Sequence, residues 1–153
     1  MKAKWTRLAA LAAVAFVAAG TALGAQSTEK YTARLGWVPL AGARDGALVK
    51  GKGSATATLS GSKLTINGSF DGLVSAATVA RLHRGVAKAA RGPAIADLVV
   101  SKAASGNAGT ISGAVDLNAE QLDSLKQGRL YVQLHSEKGM APDGANLWGW
   151  FLR

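Results

Sequence analysis

Short stretches in which apolar and polar residues alternate recur along most of the chain, and residues typical of turns separate them. Alternation with a period of two is typical of β-strands that have one buried and one exposed face. The clearest pair spans residues 55–59 and 63–70, and Ser60-Gly61-Ser62 between them predicts a hairpin turn. Further strand candidates are Tyr31–Val38, Ile95–Val100, Thr110–Leu117, Arg129–His135 and Asn146–Leu152. This rhythm predicts an all-β fold, either a sandwich or a barrel.

One short helix is predicted between two of these strands. Asn118 is a favourable N-cap, and Gln121 stands at the third helical position, as in a capping box. Leu122 and Leu125 fall on one side of such a helix, and Gly128 is a typical residue for ending it. We therefore expect a short helical connector in an otherwise β-rich chain.

The segment 78–91 fits two kinds of secondary structure. Its basic residues recur at intervals of three or four, as on one face of an amphipathic helix. These residues are Arg81, Arg84, Lys88 and Arg91. Gly85 would cost a helix about 1 kcal/mol relative to alanine, which weakens that interpretation. A strand ending at His83, followed by a basic loop that Gly92-Pro93 closes, fits as well.

The N-terminal residues 1–25 have the layout of a secretory signal peptide. Lys2, Lys4 and Arg7 precede an uncharged apolar run from Leu8 to Ala19, and small residues follow. That run is about a dozen residues long, whereas a membrane-spanning helix needs roughly 20. We therefore expect a periplasmic or extracellular protein with no transmembrane span after cleavage of the signal.

Composition narrows the chemistry that the chain can support. It contains no cysteine, which excludes disulfides, cysteine-ligated metals and cysteine nucleophiles. Three of the 18 basic residues and none of the nine acidic residues lie in the predicted signal, so the remainder has a net charge of +6. This charge favours acidic polymers or anionic membranes, or it is simply a solvated surface. Nucleic acid is not an expected partner, because the basic residues are not interleaved with aromatic ones.

Sequence motifs of common enzymes are missing. The chain has no Gly-x-Ser-x-Gly nucleophile elbow and no His-Glu-x-x-His zinc motif. It also has no glycine-rich phosphate-binding motif and no recognisable pair of catalytic carboxylates. We therefore expect a protein that is not an enzyme.

An ordered series of motifs over residues 53–153 resembles the chordin domain (CHRD), a family of extracellular and exported modules. The series consists of Phe70-Asp71-Gly72-Leu73, Ala80 to Gly85, Gly92-Pro93, Leu117 to Leu125, Gly128 to Ser136 and Ala141 to Trp150. Its most specific part is Gly-x-x-Tyr-Val-x-x-His from Gly128 to His135, followed by Pro-x-Gly and a closing strand. The order and spacing of these pieces carry the resemblance.

This resemblance implies an antiparallel β-sandwich, immunoglobulin-like or related, with no established catalytic chemistry. It favours a strand over residues 78–83. The chain departs from the family twice: Arg81-Leu82-His83 replaces a frequent His-x-His, and Leu147-Trp148-Gly149-Trp150 replaces Arg-Gly-Gln in the closing strand. The domain organisation then reads as a signal peptide at 1–25, an extension with a strand at 26–52 and a chordin-like domain at 53–153.

The two histidines of the chain, His83 and His135, are the candidate metal ligands. If their strands pair, the two imidazoles converge, and imidazole suits copper or zinc. A sound site needs a third ligand, for which Asp71, Asp97 and Glu137 are the candidates. Alternatively, each histidine hydrogen-bonds a backbone carbonyl at a strand end and no metal cofactor is present.

A second candidate site is a partner surface. It comprises Arg81, Arg84, Lys88, Arg91, Trp148 and Trp150. The two tryptophans share one face of the last strand, where they either offer a stacking surface or fill the core with residues 31–38 as cover. The leading hypothesis is an exported non-enzymatic module that binds or scaffolds an unknown protein or envelope component. The alternative is a periplasmic copper- or zinc-binding or redox-associated protein that uses the two histidines.

Overall fold

The alternating segments form the strands of an antiparallel β-barrel. The structure is a computed structural model, and it describes residues 27–40 and 45–153. The strands are β1 (Thr28–Trp37), β2 (Lys52–Ser60), β3 (Lys63–Asp71), β4 (Ala77–Arg84), β5 (Ala94–Lys102), β6 (Gly109–Asp116), β7 (Leu130–Met140) and β8 (Ala145–Trp150). Helix α1 (Ala119–Lys126) connects β6 to β7, and a single 3-10 turn covers Asp45–Ala47. The predicted signal peptide at residues 1–25 lies outside the described residues.

Closure of the sheet is the main difference from the predicted architecture. The strands pair antiparallel in the order β1-β2-β3-β6-β5-β4-β7-β8, and β8 returns to β1. Strand β5 changes partner midway, because Ala94–Leu98 pair with β4 whereas Val99–Lys102 pair with β6. The all-β antiparallel fold with one short helix is confirmed, but the two-sheet sandwich is corrected to a closed barrel. The strands β1 and β5 each pair with one half of the barrel along part of their length and with the other half along the rest. They form corners, as in proteins where a strand passes from one sheet to another.

Large aliphatic and aromatic side chains fill the barrel interior. They come from every second residue of the strands and include Leu64, Ile66, Phe70, Leu82, Leu130, Val132, Leu134, Leu147 and Phe151. Small residues (Ala33, Ala55 and Ala57) face them from β1 and β2. An eight-stranded barrel is narrow enough for side chains to fill it. Each large buried side chain contributes about 1.5–3 kcal/mol to the free energy of unfolding.

Local sequence signals are confirmed where hydrogen bonds close within a few residues. The Asn118 side chain accepts a bond of 2.9 Å from the Gln121 backbone, and the Gln121 side chain accepts one of 3.0 Å from the Asn118 backbone. Gly128 follows α1 with φ 66°, and Gly61 has φ 61° in the β2–β3 hairpin turn. Such positive φ angles suit glycine, because it has no Cβ.

Strand β4 resolves the two interpretations of residues 78–91. Ala77–Arg84 is a strand that pairs with β5 on one side and β7 on the other. Cross-strand bonding therefore overrides the helical spacing of its basic residues. Residues 85–93 form the loop that leads into β5, as the strand interpretation predicted.

The N-terminal strand is an integral part of the barrel. The predicted strand at residues 31–38 corresponds to β1, which pairs with β2 from Thr28 to Leu35 and with β8 at Gly36 and Trp37. A further bridge joins Thr32 to Leu152. Residues 31–38 do not lie over the last strand as a second layer, since β1 is beside β8 in the same sheet. Of these residues only Val38, with Val49, packs against Trp148 of the second face. Within the described residues, no helix is long and apolar enough to cross a membrane.

Candidate functional site

The outer surface of β4, β7 and β8 carries a group of aromatic side chains. On β7 the core takes Leu130, Val132 and Leu134, so the intervening side chains point outward. The strand register places Tyr131 opposite both His83 of β4 and Trp150 of β8. We call the outward group of His83, Tyr131, Trp148, Trp150 and Arg91 the aromatic face.

The rings of the aromatic face contact one another in a continuous row. His83 stacks on Tyr131 with ring centroids 4.9 Å apart, and Trp150 lies 4.3 Å from Tyr131 on a tilted plane. Trp148 meets Trp150 edge-on at 5.8 Å. The guanidinium of Arg91 lies over Trp148, 5.5 Å from the ring centroid, within cation–π range. Both tryptophans are half-buried, so the two faces of the last strand are unequal: one enters the core and the other reaches the surface.

The loop between β4 and β5 is fastened to this row at Gly92. The carbonyl oxygen of Gly92 accepts hydrogen bonds from His83 Nδ1 at 3.0 Å and from the Tyr131 hydroxyl at 3.3 Å. The Gly92 backbone N–H donates to the same hydroxyl at 3.2 Å. A side chain at Gly92 would collide with the backbone carbonyl of Arg84. The close approach of this loop to the aromatic face therefore requires glycine.

His83 is held as a neutral imidazole. Because a carbonyl oxygen can only accept, Nδ1 carries the proton and Nε2 carries the lone pair. Nε2 is buried and has no hydrogen-bond partner. Burial lowers the pKa of His83 below its usual value, and the nearby positive charge of Arg81 acts in the same direction.

His135 lies deeper than His83, and both of its ring nitrogens have partners. Nδ1 donates to the Asp143 carbonyl oxygen at 3.0 Å, and the Asp143 carboxylate is 3.6 Å away. The amide of Gln133 lies 3.2 Å from Nε2, where it acts as donor. Nearby, the Asn146 amide donates to Ser136 Oγ at 2.8 Å, while its carbonyl oxygen is buried without a partner. The side chains of Gln133, His135, Ser136 and Asn146 therefore form a buried group of polar residues.

The two predicted metal ligands, His83 and His135, lie on the same face of the sheet but are not opposite each other in the strand register. His83 is opposite Tyr131, and His135 is four residues further along β7, roughly 14 Å at 3.4 Å per residue. Gln133 lies between them. Among the described residues no group of three histidine or acidic side chains is placed to hold a metal ion. The shared copper or zinc site stays a prediction.

The predicted third ligands lie apart from this pair. Asp97 accepts a 3.0 Å bond from Arg81, Asp71 stands at the end of β3 opposite Lys52, and Glu137 is exposed on β7. The acidic residue that does approach a histidine is Asp143. The sequence analysis missed it, although its place in the Pro-x-Gly motif eight residues after His135 marked it.

The predicted basic surface separates into paired and unpaired charges. Arg81 is bound to Asp97, and Arg84 forms an ion pair with Glu120 of α1. Lys88 and Arg91 are exposed and have no acidic partner within ion-pair distance in the described part of the chain. Only Arg91 joins the tryptophans. The structure thus brings Arg91, Trp148 and Trp150 together and assigns Arg81 and Arg84 to contacts within the fold.

These features define a small all-β barrel module with an aromatic and basic outer surface. A family model described as the CHRD domain matches residues 38–145, and the chain belongs to this family. The resemblance to the chordin domain is thereby confirmed. No curated protein and no solved structure matches the chain.

Proposed function

We propose that this chain is an exported, non-enzymatic binding module that contacts a macromolecular partner at the cell envelope through its aromatic face. The observation that carries the proposal is the surface position of Trp148 and Trp150, side by side with Arg91. Tryptophan, tyrosine and arginine are the residue types that dominate binding energy at protein interfaces. Both tryptophan rings stay partly exposed, whereas Phe151 is fully buried, and Trp148 also packs against the small cluster of Val38, Val49 and Ala145.

The loop between β4 and β5 extends this surface. Val86 is 72% exposed at its tip, and Lys88 and Arg91 project from the same loop. Gly85 lets the loop lie against Trp150, because a Cβ there would be 2.9 Å from the indole ring. An apolar and aromatic centre with a polar rim is the usual arrangement of a protein-binding patch.

The test uses a photo-cross-linking residue at Val86 in protein mixed with an envelope extract of the source organism. We expect a discrete cross-linked partner whose yield falls at least about tenfold in the Trp148→Ala, Arg91→Ala variant, because two interface anchors are removed. Val99→Ala is the control, since Val99 is also an exposed valine, at 62%, and lies on β5 away from the aromatic face. Equal yields from both variants would contradict the proposal.

Salt dependence gives a second readout of the same complex. Of the four basic residues predicted for this surface, Arg81 and Arg84 are already paired, which leaves Lys88 and Arg91 to attract an acidic partner. Binding should therefore weaken only mildly as salt rises, since exposed charges are screened over about 8–10 Å. A steep loss of affinity would place the paired arginines in the interface as well.

A metal-binding or redox-associated role is the second candidate. The observation that favours it is the unpartnered, buried Nε2 of His83, a neutral imidazole nitrogen of the kind that ligates copper and zinc. Titration of the purified protein with Cu²⁺ and Zn²⁺ tests it by calorimetry. Stoichiometric binding that disappears in the His83→Ala, His135→Ala variant would support this role, and binding that the variant retains would exclude these ligands.

A further inference from the structure

Strands β1 and β2 diverge at one corner of the barrel. Their pairing ends at Leu35 and Gly53, and β1 continues along β8 while β2 continues along β3. Two adjoining clefts of about 380 and 400 Å³ open at this point. Both are lined by Arg34 and Lys52, so we treat them as one feature, the corner cleft. It shares no residue with the aromatic face.

Glycine residues form much of the floor of the corner cleft. Gly36, Gly51 and Gly53 line it and expose backbone rather than side chains. The space above Gly36 is open, with no atom within 4 Å of where a Cβ would be. At Gly53 a side chain would collide with the Ser69 carbonyl oxygen, so this part of the floor cannot be filled without moving a strand.

Trp37 stands at the rim of the corner cleft with its ring held in place. Trp37 is 52% exposed. The indole N–H donates to the Gly51 carbonyl oxygen at 2.9 Å, which ties β1 to the start of β2 across the gap. An exposed ring with a fixed orientation is prepared for stacking, because little conformational entropy is lost when a ligand binds.

The remaining lining of the corner cleft is cationic and hydroxylated. Arg34 and Lys52 are exposed, and neither has a carboxylate within ion-pair distance among the residues that the structure describes. Ser54 and Ser69 contribute hydroxyl groups beside them. Asp71 at the end of β3 is the single acidic side chain of the lining. The net positive charge favours an anionic ligand.

We propose that the corner cleft binds an anionic polysaccharide. The Trp37 ring stacks on the apolar face of a sugar, and the cations of Arg34 and Lys52 attract carboxylate or sulfate groups. The serine hydroxyls of the cleft exchange hydrogen bonds with sugar hydroxyls. The two adjoining clefts suit successive units of a linear chain better than a single small anion. This site is independent of the aromatic face, and each can fail without the other.

The test measures binding of an oligogalacturonate by calorimetry, with neutral dextran for comparison. Arg34→Gln and Lys52→Gln should each weaken binding about two- to fivefold, the usual effect of one exposed ion pair. Trp37→Ala should weaken it about tenfold or more, and Trp37→Phe, which keeps a ring, should weaken it less. Lys30→Gln is the matched control, because Lys30 is exposed on the same strand and its loss removes the same charge.

The outcomes separate the alternatives. Affinity that falls equally in Lys30→Gln and Arg34→Gln would overturn the proposal, since general charge attraction would then explain the binding. Dextran bound as tightly as oligogalacturonate would also overturn it. Dextran sulfate added as a competitor identifies the preferred anion: displacement at low concentration means a sulfate ligand, and weak displacement means a carboxylate ligand. Tighter binding of single-stranded DNA through the same residues would replace the polysaccharide with another polyanion.

Discussion

At the scale of single residues, Gly92 and His83 show how a surface site is built on this barrel. Gly92 has room for no side chain, and its backbone receives both His83 and Tyr131. One small residue in a loop thereby fixes two rings on two different strands. The site depends on the backbone of the β4–β5 loop as much as on the side chains that it displays.

The buried imidazole predicts a dependence of stability on pH. The pKa of His83 is lowered in the folded protein, so below the unfolded value of about 6.5 the unfolded chain binds more protons. The contribution of His83 to the free energy of unfolding should therefore be fully present near pH 7. It should be lost as the pH falls from the unfolded pKa of about 6.5 to the lower folded pKa. Urea denaturation at pH 7 and pH 5 measures this loss.

The matched variant for this experiment is His83→Gln, which removes the titrating group. It should lose less stability than the wild type over the same interval. The neighbouring side chains of Arg81, His135 and Asp143 are the same in both proteins. Glu29 has a lowered pKa, and its contribution is lost only as pH falls below its usual value of 4.5, outside the interval. Equal losses in both proteins would contradict the assignment.

At the scale of elements, the sequence predicts those parts whose causes are local. The capping box of α1 and the β2–β3 hairpin were predictable because a few neighbouring residues close their hydrogen bonds. Strand β4 was ambiguous, since its helical spacing is overridden by partners distant in the chain. Trp148 and Trp150 were ambiguous because both faces of β8 are apolar, and the face that enters the core is decided by barrel closure through strands distant in the chain.

The capping box of α1 gives a prediction for this scale. Asn118→Ala removes the acceptor for the Gln121 backbone N–H and should lower the free energy of unfolding by about 1 kcal/mol. Chemical denaturation monitored by circular dichroism measures the difference. Asn118→Asp keeps an acceptor at the cap and should leave stability nearly unchanged. A loss of the same size in both variants would mean that the cap is not the cause.

At the scale of the whole molecule, the fold depends on closure, which no local pattern encodes. Alternating strands look alike in a sandwich and in a barrel, because both have one inner and one outer face. What distinguishes them is the pairing of β8 with β1 and the change of partner within β5. The corner cleft was unpredictable for the same reason, since it exists only where β1 and β2 separate.

Closure makes the last strand indispensable. Deleting residues 146–153 removes the pairing of β8 with both β7 and β1, together with buried Leu147 and Phe151. Since domains are stable by only about 5–15 kcal/mol, the truncated protein should be unfolded. Circular dichroism and thermal melting test this. Leu152→Ala, at a 44% exposed position, should keep the cooperative melt. A truncated chain with a cooperative β-type melt would show that the barrel tolerates an open seam.

The contact between the first and last strands has one further consequence. Thr32 and Leu152 exchange two backbone hydrogen bonds, and Glu29 forms an ion pair with Arg153. The beginning of β1 and the end of β8 are therefore neighbours, and circular permutation should be tolerated. A short glycine linker from residue 153 to residue 27, with new termini between Gly61 and Ser62, should give a protein with the same spectrum and cooperative melting. Folding would then require the cyclic order of the strands around the barrel but not the position of the chain termini.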